Sequence, residues 1–140
     1  MTRGCGRKCP WCIVNQKEGE CNKVADLDEF WNGQKEIKLL DPNLLAYRDR
    51  EALLKQLIKS KASIDFTQGL DIRLLDKETI DLIKKVRVKR VHFAYDEMKH
   101  SGIIEASLTN FKKHTNWGHG KVSVYILTNF NTTLEEDLYS

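Results

Sequence analysis

The chain has no cysteine after residue 21, no hydrophobic run of membrane-spanning length and no long block of like charge. Without a run of about 18 apolar residues it holds no ordinary transmembrane helix. The opening residues Met1-Thr2-Arg3-Gly4-Cys5 lack the apolar stretch of a secretory signal, so a cytoplasmic setting is expected. A net charge of +3 with 31% charged residues describes a solvated, mildly basic surface without a nucleic-acid-binding tail. Disulfide frameworks staple distant parts of small secreted domains, and cysteines confined to one end of a chain do not. At 140 residues the chain is also short for a closed eight-unit barrel, which takes about 250 residues.

What is present is a 41% apolar content, enough for the core of one domain or part of one, and four cysteines at positions 5, 9, 12 and 21. Their density reads as metal binding. Residues 1–28 form a cysteine loop followed by a polar segment with no apolar period, and residues 29–140 alternate between strand and helix patterns. A turn of helix is expected at Glu29-Phe30-Trp31-Asn32-Gly33. The run Ile37-Lys38-Leu39-Leu40 reads as a strand that stops before Pro42, which lacks the N–H of a central strand. Asp49 is placed to cap a helix carrying Leu53, Leu54, Leu57 and Ile58 on one face, and Ile64 to Thr67 reads as the next strand. Asp76 is placed to cap a helix with Ile80, Ile83 and Val86, followed by a strand from Arg90 to Ala94. Ile103, Ile104, Leu108 and Phe111 mark another helix, Gly118 and Gly120 a loop, and Val122 to Leu127 the strongest strand signal. Thr133 and Glu136 have capping-box spacing for a helix starting at Leu134.

Strands recurring every 26 to 32 residues or so match the length of one strand-helix-strand unit, so the expected class is α/β with parallel strands. Ligands of such sheets gather at the carboxyl ends of the strands, where Asp41, Asn43, Asp71, Arg73, Tyr95, Asp96 and Asn129 would lie.

The loop Cys5-Gly6-Arg7-Lys8-Cys9-Pro10-Trp11-Cys12 spaces its thiols so that three can reach three corners of one [4Fe–4S] cubane, leaving the fourth iron without a protein ligand. Gly4 and Gly6 allow a close backbone turn, and Arg7 and Lys8 offset thiolate charge. CxxxCxxC with an aromatic residue before the last cysteine resembles the cluster motif of the radical S-adenosylmethionine superfamily. The resemblance implies that Cys5, Cys9 and Cys12 hold a [4Fe–4S] cluster whose open iron is chelated by S-adenosylmethionine. It implies an enzyme that takes an electron from a flavodoxin- or ferredoxin-like donor, cleaves the sulfonium and generates a 5′-deoxyadenosyl radical that abstracts hydrogen from a substrate left open by the sequence.

The remaining chain is similar to barrel segments of the same superfamily, which implies a partial (β/α)6 barrel lacking its first and last strands, a radical SAM core fragment over residues 1–140. A chain so truncated would bind its cluster weakly and could be inactive alone. Asp41-Pro42-Asn43 resembles a strand-end element of cobalamin-associated and methylthiotransferase-like members. By the same resemblance Trp11, Asp41, Asn43, Asp71, Arg73 and Asn129 are cofactor-binding candidates.

Plainer readings stand beside these. Four thiolates also suit structural zinc, with Cys21 as fourth ligand, although the paired CxxC knuckles of zinc ribbons are missing; otherwise Cys21 is an ordinary thiol or an auxiliary ligand. Asp41 and Asn43 can serve a turn before Pro42, and Asp71 and Arg73 can form a structural ion pair. His92 reads as packed, and His100, His114 and His119 as solvated. The run Lys84-Lys85-Val86-Arg87-Val88-Lys89-Arg90 ends a helix, where cations complement the dipole, so nucleic acid is not expected as a partner. The alternative function is a non-catalytic zinc-binding or nucleic-acid-binding module.

Overall fold

The computed structural model describes every residue except Asn129, Asn131 and Ser140, and leaves out the side chains of Met98, Glu136 and Tyr139. A two-strand ribbon opens the chain: β1, Thr2–Arg3, pairs antiparallel with β2, Asn22–Lys23, and the short helix α1, Val14–Glu18, lies between them. The polar segment after the cysteines therefore contains local structure too short to leave a period in the sequence.

Four parallel strands follow, β3 at Glu36–Leu39, β4 at Ser63–Phe66, β5 at Val88–Tyr95 and β6 at Val122–Ile126. They lie side by side in chain order. Helices α2 (Arg50–Ser60), α3 (Lys77–Lys85) and α4 (Ser101–Thr115) make the crossovers, and α5 (Leu134–Tyr139) starts at the expected Leu134. Because the strand order never reverses, crossovers of one hand keep their helices on one face of the sheet. The architecture is thus α/β with a four-stranded parallel sheet.

Period-two alternation decides which side chains meet those helices. In β3, Ile37 and Leu39 are buried and Lys38 is exposed. Ile64, Phe66, Val91 and Phe93 continue the apolar row, and Leu53, Leu54, Leu57, Ile80, Ile83, Ile104 and Phe111 fill it from the helices. Phe93 and Phe111 meet edge to face with ring centroids 5.0 Å apart, which seats α4 on β5. Ile103 lies outside the core at 57% exposure, so the apolar face of α4 is narrower than the sequence suggests. The opposite face of the sheet is polar. There His92 is buried, with Nδ1 2.5 Å from Ser123 Oγ and its ring stacked on Tyr125.

Helix ends follow local chemistry in part. Asp76 caps α3 by accepting from Thr79 N at 2.7 Å. Asp49 stands at the N-cap of α2 without a capping hydrogen bond from its side chain; Arg50 instead reaches Leu45 O and Asp76. The turn expected around Glu29 to Gly33 forms earlier, as a 3-10 turn at Leu27–Glu29 closed by Asp26.

Gly4 has φ +81°, and a Cβ there would run into the Glu20 backbone carbonyl. Gly4→Ala is expected to cost about 2 kcal/mol or more, from positive φ together with the clash, read as a lower denaturation midpoint with unchanged m-value.

A cysteine-lined cleft at the strand ends

An open cleft of about 420 Å³ lies at the carboxyl ends of β3, β4 and β5. Cys5, Cys9 and Cys12 line it together with Trp11, Asn43, Asp71, Arg73, Asp96 and Tyr125. Residues from the amino-terminal loop and from three strand ends are thereby brought together.

The loop has almost no core of its own, since no residue of α1 is buried. Hydrogen bonds hold it instead. Cys5 N donates to Gly19 O at 2.9 Å, Asn15 Nδ2 donates to Cys5 O at 2.8 Å, and Gly4 N donates to Glu18 Oε2 at 2.9 Å. Strand ends supply the longer ties. Asp41, beyond β3, accepts from Thr2 N and, at 2.8 Å, from Thr2 Oγ1. Asn43 Nδ2 donates to Cys5 Sγ at 3.5 Å, and Cys21 Sγ donates to Asn43 O at 3.3 Å.

Asp71, beyond β4, is the strongest anchor. Arg7 of the loop donates from Nε to Asp71 Oδ2 at 2.8 Å, and Arg73 donates from Nε to Oδ1 at 2.8 Å. Burial works to raise the Asp71 carboxyl, but the hydrogen bond and charge of Arg73 and the charge of Arg7 outweigh it and hold the group below its ordinary value. Gly69, with φ +91°, brings this segment against the His92 carbonyl, which a Cβ would approach to 2.9 Å.

Acidic and basic side chains both surround Cys9. Burial raises that thiol first, and Asp96, Cys12, Cys5 and Glu97 add to the effect. Burial likewise raises Asp96, with Arg73 opposing. Cys21 is also raised by burial, against a lowering hydrogen bond from Thr2.

The candidates named from sequence fall into three groups. Cys5, Cys9, Cys12, Trp11, Asn43, Asp71 and Arg73 share the cleft. Asp41 is buried behind it, engaged with Thr2. Asn129 lies outside the described residues. Arg7 as a partner of Asp71 is absent from the sequence reading, and only the 64-residue separation bridged by the fold reveals it.

Thiols with a neighbouring amide donor are the donor chemistry an iron–sulfur cluster takes. Three thiols of one loop line one open cleft, and an amide N–H reaches the Cys5 sulfur. Asn43 Oδ1 is a buried acceptor without a partner, the one such side-chain atom among the described residues. Also among the described residues, no group of three or more His, Cys, Asp or Glu side chains is placed to hold a metal ion.

No protein-family model matches the chain, and neither a curated protein nor a solved structure matches it.

Asp71→Asn removes the charge that both arginines share and is expected to destabilise the fold by about 1–3 kcal/mol near neutral pH. A depressed folded pKa contributes stability above the unfolded value, about 3.9, and that contribution is lost as pH falls through the folded value. Denaturant unfolding should therefore show a steep acid limb in the parent chain and a flatter one in Asp71→Asn.

Proposed function

We propose that this chain is a radical S-adenosylmethionine enzyme or the core part of one, in which Cys5, Cys9 and Cys12 hold a [4Fe–4S] cluster. The observation that carries the reading is the joint presence of these three thiols in one cleft at the carboxyl ends of parallel strands, beside Asn43, whose Oδ1 has no partner. When bound, the cluster would supply an electron to the sulfonium of S-adenosylmethionine, releasing methionine and a 5′-deoxyadenosyl radical.

The chain's own residues then have defined tasks. Arg7, held by Asp71, fixes the loop between Cys5 and Cys9 against β4. Asn43 orients Cys5 through its amide N–H and keeps Oδ1, which a small side-chain rotation would bring to the cleft, as an acceptor for an N–H of the cofactor's methionine amino group. Asp41 is committed to Thr2, so of the two carbonyl-bearing candidates beyond β3 Asn43 is the available one. Trp11, edge-on to Phe130 at 5.2 Å, forms an aromatic wall beside the thiols and excludes water from that side. The sequential parallel sheet, with a polar face opposite its helices, supports reading it as part of a (β/α)6 barrel whose inner face would receive the substrate.

Anaerobic reconstitution should give iron and sulfide in a one-to-one ratio, at most about four of each per chain, with broad brown absorbance. Cys5→Ala, Cys9→Ala and Cys12→Ala should each abolish it, and Cys21→Ala should retain it. One zinc per chain, or iron retained in all four variants, would overturn the reading. With a low-potential reductant, the loaded parent should release 5′-deoxyadenosine and methionine. Asn43→Ala should keep its iron but bind S-adenosylmethionine about tenfold more weakly, measured by calorimetry on the reconstituted protein.

A further inference from the structure

Each strand from β3 to β6 starts at the same pole, opposite the cysteine cleft, and α2, α3 and α4 all end there. Each helix ends in cations: Lys59 and Lys61 at α2, Lys84 and Lys85 at α3, Lys112 and Lys113 at α4. Cations at a helix C-terminus complement its dipole, and that accounts for any single run. It does not account for the sum, because the parallel topology places three such ends together beside Lys35 and Arg87, which precede β3 and β5. Among the described residues Lys35, Lys59, Lys61 and Arg87 make no salt bridge, whereas Lys89 pairs with Glu36 at 2.8 Å. Glu36 is held below the ordinary carboxylate range by its hydrogen bond to Lys89 and by the charges of Lys89, Lys38 and Arg87.

Two adjoining clefts open at this pole, of about 440 and 350 Å³. Trp31 and Ser60 line both. The first adds Asp26, Asp28 and Lys59, and the second adds Lys35, Lys61, Arg87 and Glu36. Trp31 Nε1 donates to Gln34 O at 2.9 Å, which holds the indole between them. Asp26 is satisfied by Lys23 and Gln56, leaving the exposed Asp28 as an acceptor for a heterocyclic amine.

An aromatic ring between a cleft with hydrogen-bonding acceptors and a cleft with unpaired cations matches a stacked base followed by its phosphate. The cations continue past both clefts to the ends of α3 and α4, in the sequence order of the sheet. We propose that this pole is a binding track for single-stranded nucleic acid, with a base stacked at Trp31 and phosphates carried by Lys35, Lys61 and Arg87. The track is independent of the iron–sulfur reading and is tested without iron.

The test is fluorescence anisotropy of the full, metal-free chain with a labelled single-stranded oligonucleotide of about 12 residues. Binding should weaken with salt at a log–log slope of about −2 to −3, as three or four neutralised phosphates require. Lys35→Ala with Arg87→Ala should weaken binding about tenfold and flatten the slope by roughly 1.4. Trp31→Phe should remove most of the tryptophan-fluorescence quenching on binding, with circular dichroism reporting that the fold is kept. Lys55→Ala with Lys77→Ala, which removes two cations away from the track, should leave affinity unchanged. The proposal is overturned if both double variants lose affinity equally, if polyglutamate of matched charge binds as tightly, if adenosine monophosphate competes with equal affinity, or if no salt-dependent binding occurs.

Discussion

Two guanidinium groups meet on one buried carboxylate, Asp71, and the position of the cysteine loop follows from that meeting. A carboxylate so far removed from water must be neutralised, and Arg73 beside it in sequence supplies only part of the compensation. Arg7 supplies the rest, and in doing so brings the segment between Cys5 and Cys9 to the end of β4. Asn43 and Asp41 do the same from the end of β3. A loop without a hydrophobic core of its own thus takes its geometry from the sheet.

Much of the sheet could be read from sequence because its strands and helices carry regular periods: the stop before Pro42, the Asp76 cap and the apolar faces of α2 and α3 are all present. The ribbon of β1 and β2 and the five-residue α1 are too short for any period to register. Ile103 misled because four apolar residues of α4 looked like one face, while only Ile104 and Phe111 among them are fully buried. At the cleft, residue identity and strand-end position were legible, and the pairing of side chains was not. Nothing local in Arg7 or Asp71 announces the other, and the basic helix ends look like three separate dipole effects until parallel topology superimposes them.

The fold separates two chemistries along one axis. Thiols, carboxylates and an amide with an unpartnered oxygen collect where the strands end, and cations with a tryptophan collect where they begin. Between them the sheet presents His92, Ser123 and Tyr125 on the face away from the helices, joined by a short hydrogen bond and a parallel ring stack. Parallel sheets are ordinarily covered on both faces, and this polar row is suited to water or a polar occupant more than to another layer of helices.

The ties between loop and sheet span 38 to 64 residues of chain. During synthesis the cysteines emerge before the sheet, and their last anchor, Asp71, follows on the order of ten seconds later at about 5–20 residues per second. Throughout that interval the thiols lack their ties to the sheet. Residues made before the sheet are therefore among the last to be positioned, and the loop takes its final geometry only once β4 has been made.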